Sequence, residues 1–292
     1  MQALDGRFVA NQIKGERDYQ EDDFGLLDNS ETTSGAEHSL MVLTDGMGGH
    51  KGGDIASSIA TRTFLDIYEH SSGTVAKRLE KALIAANAGI ARGIENNKNL
   101  TGMGTTIVAV VVTDAGLEWI SVGDSPMWLY QNGRLKQLNE DHSMAPVLDD
   151  LVAVGRLSEE EKAKDNRKNA LRSALMGDEI PIIDTSSTPL TLHSDDYLIM
   201  ASDGLQTLST KTIEKTLKKH VNKGLEQCVV ALLEGVEKAN KEHQDNCTVI
   251  LYQPRTYVGE NGNVINNKAT ELGLWARMTE KISNLFGKIG SR

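Results

Sequence analysis

The order of apolar and polar residues along the chain predicts short strands and longer helices in separate blocks. Strands are predicted at Phe8–Ile13, Leu40–Thr44, Thr105–Thr113, Leu117–Val122, Tyr197–Ala201 and Thr248–Tyr252. The run Ile107–Val112 is almost wholly apolar and mostly β-branched, which is typical of a central strand. Gly116 predicts a tight turn, so the strands on either side of it are expected to form a hairpin.

Apolar residues at three- and four-residue spacing predict helices early and late in the chain. One apolar face consists of Ala56, Ile59, Ala60, Thr63, Phe64 and Ile67, and the next consists of Val75, Leu79, Ala82, Leu83, Ala86, Ile90 and Ile94. Asp54 is the expected N-cap of the first helix, and a third helix is predicted at Leu225–Lys241. Because most strands lie between these helices, we expect a mainly antiparallel sheet with helices outside it.

The region 141–181 differs from the rest, because charged, helix-prone segments replace the strands. Within it, Ser158 followed by Glu161 predicts a capping box at the start of a helix. Since this region lies between two strand pairs, it is expected to form a flap inserted over the working edge of the fold.

The strands end near Pro254, which predicts a main domain over residues 1–254 and a polar linker over 255–267. Residues 268–292 are predicted to form an amphipathic C-terminal helix, since Trp275, Met278, Ile282, Leu285 and Ile289 recur at helical spacing. This helix either packs on its own domain or a second copy, or contacts a membrane surface or a partner protein.

Composition narrows the classes of protein that the chain can belong to. Its 292 residues include 39% apolar and 25% charged residues, which is ordinary for a soluble protein, and the net charge of −10 argues against nucleic-acid binding. Two cysteines, Cys228 and Cys247, are too few for a disulfide framework. Without an apolar run of signal-peptide or membrane-spanning length, a cytoplasmic protein with no transmembrane segment is expected.

Aspartates beside strand ends are the candidate chemistry of the chain: Asp45, Asp124, Asp203 and Asp245. Each of them alone reads as a turn former next to glycine or asparagine. Their recurrence predicts that they meet at one edge of the fold, where they would repel one another unless cations lay among them. An oxygen-only donor set favours Mg²⁺ or Mn²⁺ over zinc.

A second acidic group precedes the apolar run at Phe24, and Arg17 lies four residues before its first member, Glu21. Glu21 and Asp22 form either a solvated surface face or an extension of the metal site. Arg17 is suited to bind a phosphate with two parallel hydrogen bonds.

Six blocks in fixed order resemble the metal-dependent serine/threonine protein phosphatases (the PPM family, or protein phosphatase 2C) in their bacterial form. They are Gly15-Glu16-Arg17-Asp18-Tyr19-Gln20-Glu21-Asp22, Asp45-Gly46-Met47-Gly48-Gly49-His50, Gly104-Thr105-Thr106, Gly123-Asp124-Ser125, Ser202-Asp203-Gly204 and Asp245-Asn246. Such an ordered set over most of the chain is a specific signal.

The resemblance implies an α+β fold, a four-layer α-β-β-α sandwich of two antiparallel sheets flanked by helices. It also implies that residues 1–254 form a catalytic domain, which hydrolyses phosphoserine and phosphothreonine on proteins by attack of a metal-activated water. The expected partners are phosphorylated proteins, including a bacterial serine/threonine kinase whose action the enzyme opposes.

The same resemblance implies a role for each site residue. Asp45 bridges two Mn²⁺ or Mg²⁺ ions, one of which is completed by Glu21 and the Gly46 carbonyl. Asp203 and Asp245 hold the other ion, so Asp45, Asp203 and Asp245 are the implied catalytic residues.

Three further residues are implied to assist the two-ion centre. Asp124, together with Asp203, matches a third and weaker metal position. Arg17 matches the phosphate-binding arginine, and Asp22 matches a supporting acid.

Some family members carry histidine, thought to be a general acid, where this chain has Met47. Leaving-group protonation is therefore expected from water, and His50 is either a structural histidine or a substitute acid.

The residues disfavour three rival functions. A cysteine phosphatase needs a thiolate in a phosphate-binding loop, but Cys228 and Cys247 lie in a predicted helix face and strand. A nucleotide-binding loop needs Gly-Lys-Ser/Thr after its glycines. A non-catalytic phosphoprotein-binding module is disfavoured because the metal-binding acids are present.

Overall fold

The computed structural model describes residues 2–4, 7–28, 38–48, 52–254, 257–258 and 264–265. Its strands are β1 (Gln2–Leu4), β2 (Phe8–Ile13), β3 (Asp22–Asp28), β4 (His38–Met47), β5 (Gly104–Thr105), β6 (Ile107–Thr113), β7 (Gly116–Val122), β8 (Met127–Gln131), β9 (Arg134–Gln137), β10 (Asp184–Thr185), β11 (Tyr197–Ala201), β12 (Cys247–Tyr252), β13 (Tyr257–Val258) and β14 (Val264–Ile265). Its α-helices are α1 (Gly53–His70), α2 (Val75–Asn96), α3 (Ala145–Ala153), α4 (Glu159–Lys164), α5 (Thr210–His220) and α6 (Leu225–Ala239).

Two antiparallel sheets form the centre of the molecule. The first has the strand order β1-β2-β12-β11-β8-β9, and the second has the order β10-β7-β6-β4-β3, with β5 also paired to β4. The strand β6 is central, as its apolar run predicts, and Gly116 pairs with Thr113 at the turn of the predicted hairpin.

Three apolar clusters define four layers. The residues between the two sheets include Met41 and Leu43 of β4, while Leu40 and Val42 of the same strand pack with the residues of α1 and α2. A third cluster joins the opposite face of the first sheet to α5 and α6. Because both faces of β4 are covered, its sequence is continuously apolar rather than alternating. The expected α+β sandwich of two antiparallel sheets flanked by helices is confirmed.

Local signals start and stop the helices. The Thr74 side chain accepts a hydrogen bond from the Lys77 N–H and caps α2. Asn240 ends α6 in the left-handed conformation, with φ 46°. In α4, the capping box between Ser158 and Glu161 is confirmed.

Five details of the prediction were wrong. The first helix is capped at Gly52 and not at Asp54, which lies in its first turn, and the third helix ends two residues before Lys241. The strand predicted at Thr105–Thr113 is divided into β5 and β6 at Thr106, which bonds to the backbone of β4 instead. The strands β8 and β9 were not predicted, and strands continue past Pro254, where they were expected to end, as the antiparallel pair β13 and β14.

The predicted C-terminal helix at 268–292 lies outside the described residues, as does His50. Among the residues that the structure describes, no helix combines the length and apolar character needed to cross a membrane.

Candidate active site

The aspartates predicted to meet do line one cleft, which has a volume of about 840 Å³. We call Asp45, Asp124, Asp203 and Asp245 the acidic floor of this cleft. Of the other predicted site residues, Arg17, Glu21 and Gly46 line the cleft as well, whereas Asp22 lies behind it.

Asp45 comes at the end of β4, and its backbone is fixed by two threonines. The Thr106 N–H donates to the Asp45 carbonyl oxygen at 2.9 Å, and the Thr106 hydroxyl accepts from the Asp45 N–H at 3.1 Å. The Thr105 hydroxyl donates to the same carbonyl at 2.9 Å. A Cβ on the following residue, Gly46, would collide with the carbonyl oxygens of Gly53 and Glu21, so only glycine fits there.

Burial and mutual repulsion raise the pKa values of the acidic floor. Burial, followed by the charges of Asp22 and Asp203, raises the pKa of Asp45 well above its ordinary range. Burial and the neighbouring Asp203 raise the pKa of Asp124 to about 7. The pKa of Asp203 is raised to about 6 by burial and by Asp245.

Asp22 joins the two sheets behind the floor. Its Oδ2 accepts hydrogen bonds from the hydroxyls of Ser202 at 2.7 Å and Thr248 at 2.6 Å, both of which belong to the opposite sheet or its edge. Burial raises the pKa of Asp22 to about 7, against the lowering effect of these two bonds. Its Oδ1 is buried with no hydrogen-bond partner, so one oxygen remains available for a bound water or cation.

Arg17 forms an ion pair with the floor, since its Nη2 lies 2.6 Å from Oδ2 of Asp245. The loop that carries Arg17 is held by Asn246, whose amide donates to the carbonyls of Lys14 at 2.7 Å and Tyr19 at 3.0 Å. The asparagine beside the last floor aspartate therefore positions the guanidinium at the cleft.

Glu21 lies at the N-terminus of α1, where its carboxylate accepts a hydrogen bond from the Gly53 N–H. Burial raises the pKa of Glu21, while Arg17 and this hydrogen bond lower it. The Glu21 carboxylate thus serves the helix end that Asp54 was expected to cap, which explains why that prediction was wrong.

The acidic floor fits a hard divalent cation in its chemistry, because it consists of oxygens on mutually repelling carboxylates. Behind it, Asp22 adds a buried oxygen that has no hydrogen-bond partner. Among the described residues, however, no three Asp, Glu, His or Cys side chains are gathered into a group that could hold a metal ion as they stand. Repulsion between the carboxylates and the pairing of Asp245 with Arg17 both oppose a tighter arrangement.

One side of the cleft is lined by residues of the segment 169–181, which we call the flap wall. Its base is tied to the floor by His142, whose carbonyl oxygen accepts from the Arg172 N–H at 2.8 Å and whose Nδ1 accepts from the Gly123 N–H at 3.1 Å, next to Asp124. Because that nitrogen accepts, the ring is in its neutral form, and burial lowers the pKa of His142 accordingly.

With the geometry of the site described, comparison with known proteins decides the family. Residues 18–244 match the family model described as protein phosphatase 2C. The chain belongs to the protein phosphatase 2C family. As a member of it, the chain is a protein phosphatase.

Curated relatives of this phosphatase are bacterial. It is 31% identical over 243 residues to the serine/threonine phosphatase stp of Listeria welshimeri, a match covering 81% of this chain and 91% of the relative. It is 33% identical to the serine/threonine protein phosphatase PstP of Mycobacterium tuberculosis over 65% of this chain and 36% of the relative.

Solved structures agree with the fold of this phosphatase. The catalytic domain of PstP in complex with two manganese ions superposes with a TM-score of 0.66 at 27% identity, covering 85% of this chain and 97% of that one. The phosphatase Stp1 from Staphylococcus aureus superposes with a TM-score of 0.71 at 26% identity, with 85% and 94% covered.

The two cysteines of this phosphatase stand apart from its cleft, as predicted. Cys228 and Cys247 are buried, do not line the cleft, and have pKa values raised by burial, to about 11 for Cys228. Neither is therefore an activated thiolate. Met47 does line the cleft, and its thioether carries no proton to transfer.

The sequence assigned no individual role to several residues that shape the cleft: Thr105 and Thr106, which belong to one of the six blocks, and also His142 and Asn87. Asn87 did carry a signal, because it is a polar residue four positions after Leu83 on the apolar face of α2.

Proposed function

We propose that this chain removes phosphate from phosphoserine and phosphothreonine residues of proteins at a centre of two Mn²⁺ or Mg²⁺ ions. The observation that carries the proposal is the convergence of four strand-end aspartates and Arg17 in one cleft. The relatives named as serine/threonine phosphatases and the manganese-bound neighbour support a divalent metal cofactor and phosphorylated protein substrates.

The proposed ligands follow the oxygen donors of the floor. Asp45 would serve both ions, Glu21 and the Gly46 carbonyl would complete the ligands of one of them, and Asp203 and Asp245 would hold the other. When bound there, two divalent ions supply an activated water and neutralise charge on the phosphoryl oxygens.

Asp124 has a separate role in the proposal. With Asp203, it offers a third, weaker cation position, which its pKa of about 7 leaves partly protonated near neutral pH. A cation there would compete with a proton for Asp124, so occupancy should increase as the pH rises.

Arg17 binds the phosphate. Its side chain is half-exposed in the cleft, and one of its terminal nitrogens, Nη2, is paired with Asp245. Guanidinium and phosphate oxygens match in geometry, which orients the phosphoryl group over the floor.

Asp22 supports the floor from behind. Its bonds to Ser202 and Thr248 fix the spacing of the two sheets beneath Asp45 and Asp203, and its free Oδ1 can accept from a water molecule. No histidine is among the described residues that line the cleft, so we assign protonation of the leaving serine or threonine oxygen to water.

The test is hydrolysis of p-nitrophenyl phosphate and of a phosphoserine-containing protein by the full chain. Turnover of both is expected with Mn²⁺ and none with EDTA, while a phosphotyrosine peptide should be a poorer substrate. Intact, folded protein that shows no turnover with Mn²⁺ or Mg²⁺ would contradict the proposal.

The biological setting is also a proposal. A serine/threonine kinase acting on the same proteins is the partner reaction that such an activity requires, and we propose that the chain opposes one.

A further inference from the structure

We propose that Asn87, on α2, is a positioning residue that holds the flap wall in place for protein substrates, given the phosphatase function proposed above. Asn87 bonds the backbone of the flap wall and does not itself line the cleft. It would therefore act on substrate only through the residues that it holds.

Asn87 is 9% exposed, and both ends of its amide bond the backbone of the flap wall. Its Nδ2 donates to the Asp178 carbonyl oxygen at 2.6 Å, and its Oδ1 accepts from the Gly177 N–H at 2.8 Å. A buried amide whose donor and acceptor are both satisfied is costly to remove, because the two backbone groups would lose their partners.

Further hydrogen bonds close the loop at 173–182, which contains the residues that Asn87 contacts. The buried Ser173 hydroxyl donates to the Ile182 carbonyl at 2.7 Å and accepts from the Ile182 N–H at 3.1 Å, which joins the two ends of the segment 173–182. Leu175 exchanges backbone hydrogen bonds of 2.9 and 3.0 Å with Thr105 of β5. The loop is thus tied to the floor at Leu175 and to α2 at its tip, which consists of Gly177 and Asp178.

The tip lies directly against the helix backbone. Gly177 has φ +90°, and a Cβ there would stand 2.8 Å from both the Cα and the N of Ala91. Only glycine allows this approach, and the approach is what brings the backbone within reach of Asn87.

The tethered loop presents side chains to the cleft. Met176, Asp178 and Glu179 line it, and Met176 is 40% exposed. Tyr19, which lines the same cleft from the Arg17 loop, is 51% exposed. Because a cleft of about 840 Å³ is several times larger than a phosphate group, these side chains are available to residues that flank a phosphoserine.

Release of the tip should leave the floor intact. The pairing of Leu175 with Thr105 lies between the tip and Asp45, and it does not involve Asn87. A small aryl phosphate that reaches only the floor should therefore be insensitive to Asn87, whereas a phosphoprotein that also contacts the flap wall should not.

The experiment compares the full chain with Asn87→Ala and Asn87→Asp, assayed with Mn²⁺ on p-nitrophenyl phosphate and on phosphorylated casein. For Asn87→Ala we expect kcat/KM on casein to fall about tenfold, mainly through KM, because two buried hydrogen bonds to the loop are lost. The value for p-nitrophenyl phosphate should change by less than about twofold. Asn87→Asp keeps the acceptor oxygen but loses the donor, so its kcat/KM on casein should lie between those of the wild type and Asn87→Ala.

Asn96→Ala is the matched control, since it makes the same change at an exposed position of the same helix. Gly177→Ala is a second way to release the tip of the loop, because the added Cβ must push the tip away from Ala91. It should reproduce the substrate-selective loss even if Asn87→Ala fails to fold. Thermal unfolding of each variant checks that it is folded.

The outcomes separate the two proposals. Equal losses on both substrates, or no loss on either, in folded variants would overturn the role of Asn87 while leaving the phosphatase activity in place. A wild-type chain inactive on both substrates would instead contradict the proposed function.

Discussion

The floor and the wall of the cleft are built in opposite ways. The acidic floor collects like charges from the ends of strands in both sheets, on a backbone locked by hydrogen bonds such as those of Thr106. The flap wall has little regular structure of its own where it lines the cleft, and neutral hydrogen bonds from Asn87 and Ser173 hold it.

The two sides of the cleft therefore have different roles. The floor is a fixed backbone with repelling side chains, an arrangement that stores unfavourable charge until a cation or a proton neutralises it. The hydrogen bonds that hold the flap wall are formed without any ligand, so the wall can determine the shape of the cleft while the floor carries the chemistry. The predictions below test whether these two roles can be separated.

The largest effect is expected from Asp203→Asn on the floor. This change keeps the shape of the side chain but removes a charge from the proposed metal site, so turnover should fall about a thousandfold or more. In the metal-free protein the same change should raise the unfolding temperature, because it relieves repulsion with Asp245. Steady-state kinetics and thermal unfolding measure the two effects.

Asp195→Asn is the control for that change, since Asp195 is exposed and does not line the cleft. Turnover of Asp203→Asn within tenfold of the wild type would remove Asp203 from the catalytic centre.

The next largest effect is expected from Arg17→Ala, which leaves the floor acids in place and removes the proposed phosphate contact. The KM for both small and protein substrates should rise roughly ten- to a hundredfold, with a smaller change in kcat. Arg17→Lys should recover part of the loss, since it keeps the charge without the planar fork. Arg134→Ala, at an exposed ion pair with Glu214, is the control.

An Arg17→Ala variant with unchanged KM on both substrates would show that phosphate is bound without this residue. A loss confined to protein substrates would assign Arg17 to the wall rather than to the floor.

A smaller effect is expected from pH on the stability of the metal-free protein. The folded-state pKa values of Asp22 and Asp124, about 7, and of Asp203, about 6, lie above their ordinary unfolded value of 3.8. The folded state therefore binds more protons than the unfolded state between these values, and stability falls as the pH rises from about 4 through about 7.

The unfolding temperature in EDTA should accordingly drop by several degrees between pH 5 and pH 8. Added Mg²⁺ should restore it more at pH 8 than at pH 5, because protons no longer occupy the carboxylates. Stability that instead rises over this range, or that is insensitive to Mg²⁺ at pH 8, would argue against a strained acidic floor.

The smallest effect is expected from Ser158→Ala, which removes the capping box of α4 in the flap but away from the cleft. Loss of the cap should cost about 1 kcal/mol locally and leave kcat/KM on both substrates unchanged. Urea unfolding and kinetics measure this, with Glu160→Ala as the control on the same helix. A substrate-selective loss here would extend the functional wall beyond the loop at 173–182.

Most of the floor could be predicted from the sequence because its signals are local. Each aspartate follows or precedes an apolar run, so strand ends and their acids are read together, as with Leu40–Thr44 and Asp45. The central position of β6 follows in the same way from its β-branched run.

The parts that were not predicted depend on contacts between distant residues. The strand β8 pairs with β11 on one side and with β9 on the other, and the short runs around Trp128 and Leu135 carry little signal without those neighbours. Asp54 was wrongly assigned as a cap because Glu21, 33 positions earlier (54 − 21), serves that helix end. The flap at 141–181 was expected, but its attachment to α2 could not be predicted, since Asn87 and Asp178 are brought together only by the fold.

The most direct test of the acidic floor is a crystal structure of the full chain grown with Mn²⁺, analysed by anomalous scattering at the manganese edge. Our account predicts two strong anomalous peaks in the cleft, both contacted by Asp45 and one of them also by Asp203 and Asp245. Manganese bound only elsewhere, or a floor without anomalous density at saturating Mn²⁺, would contradict it.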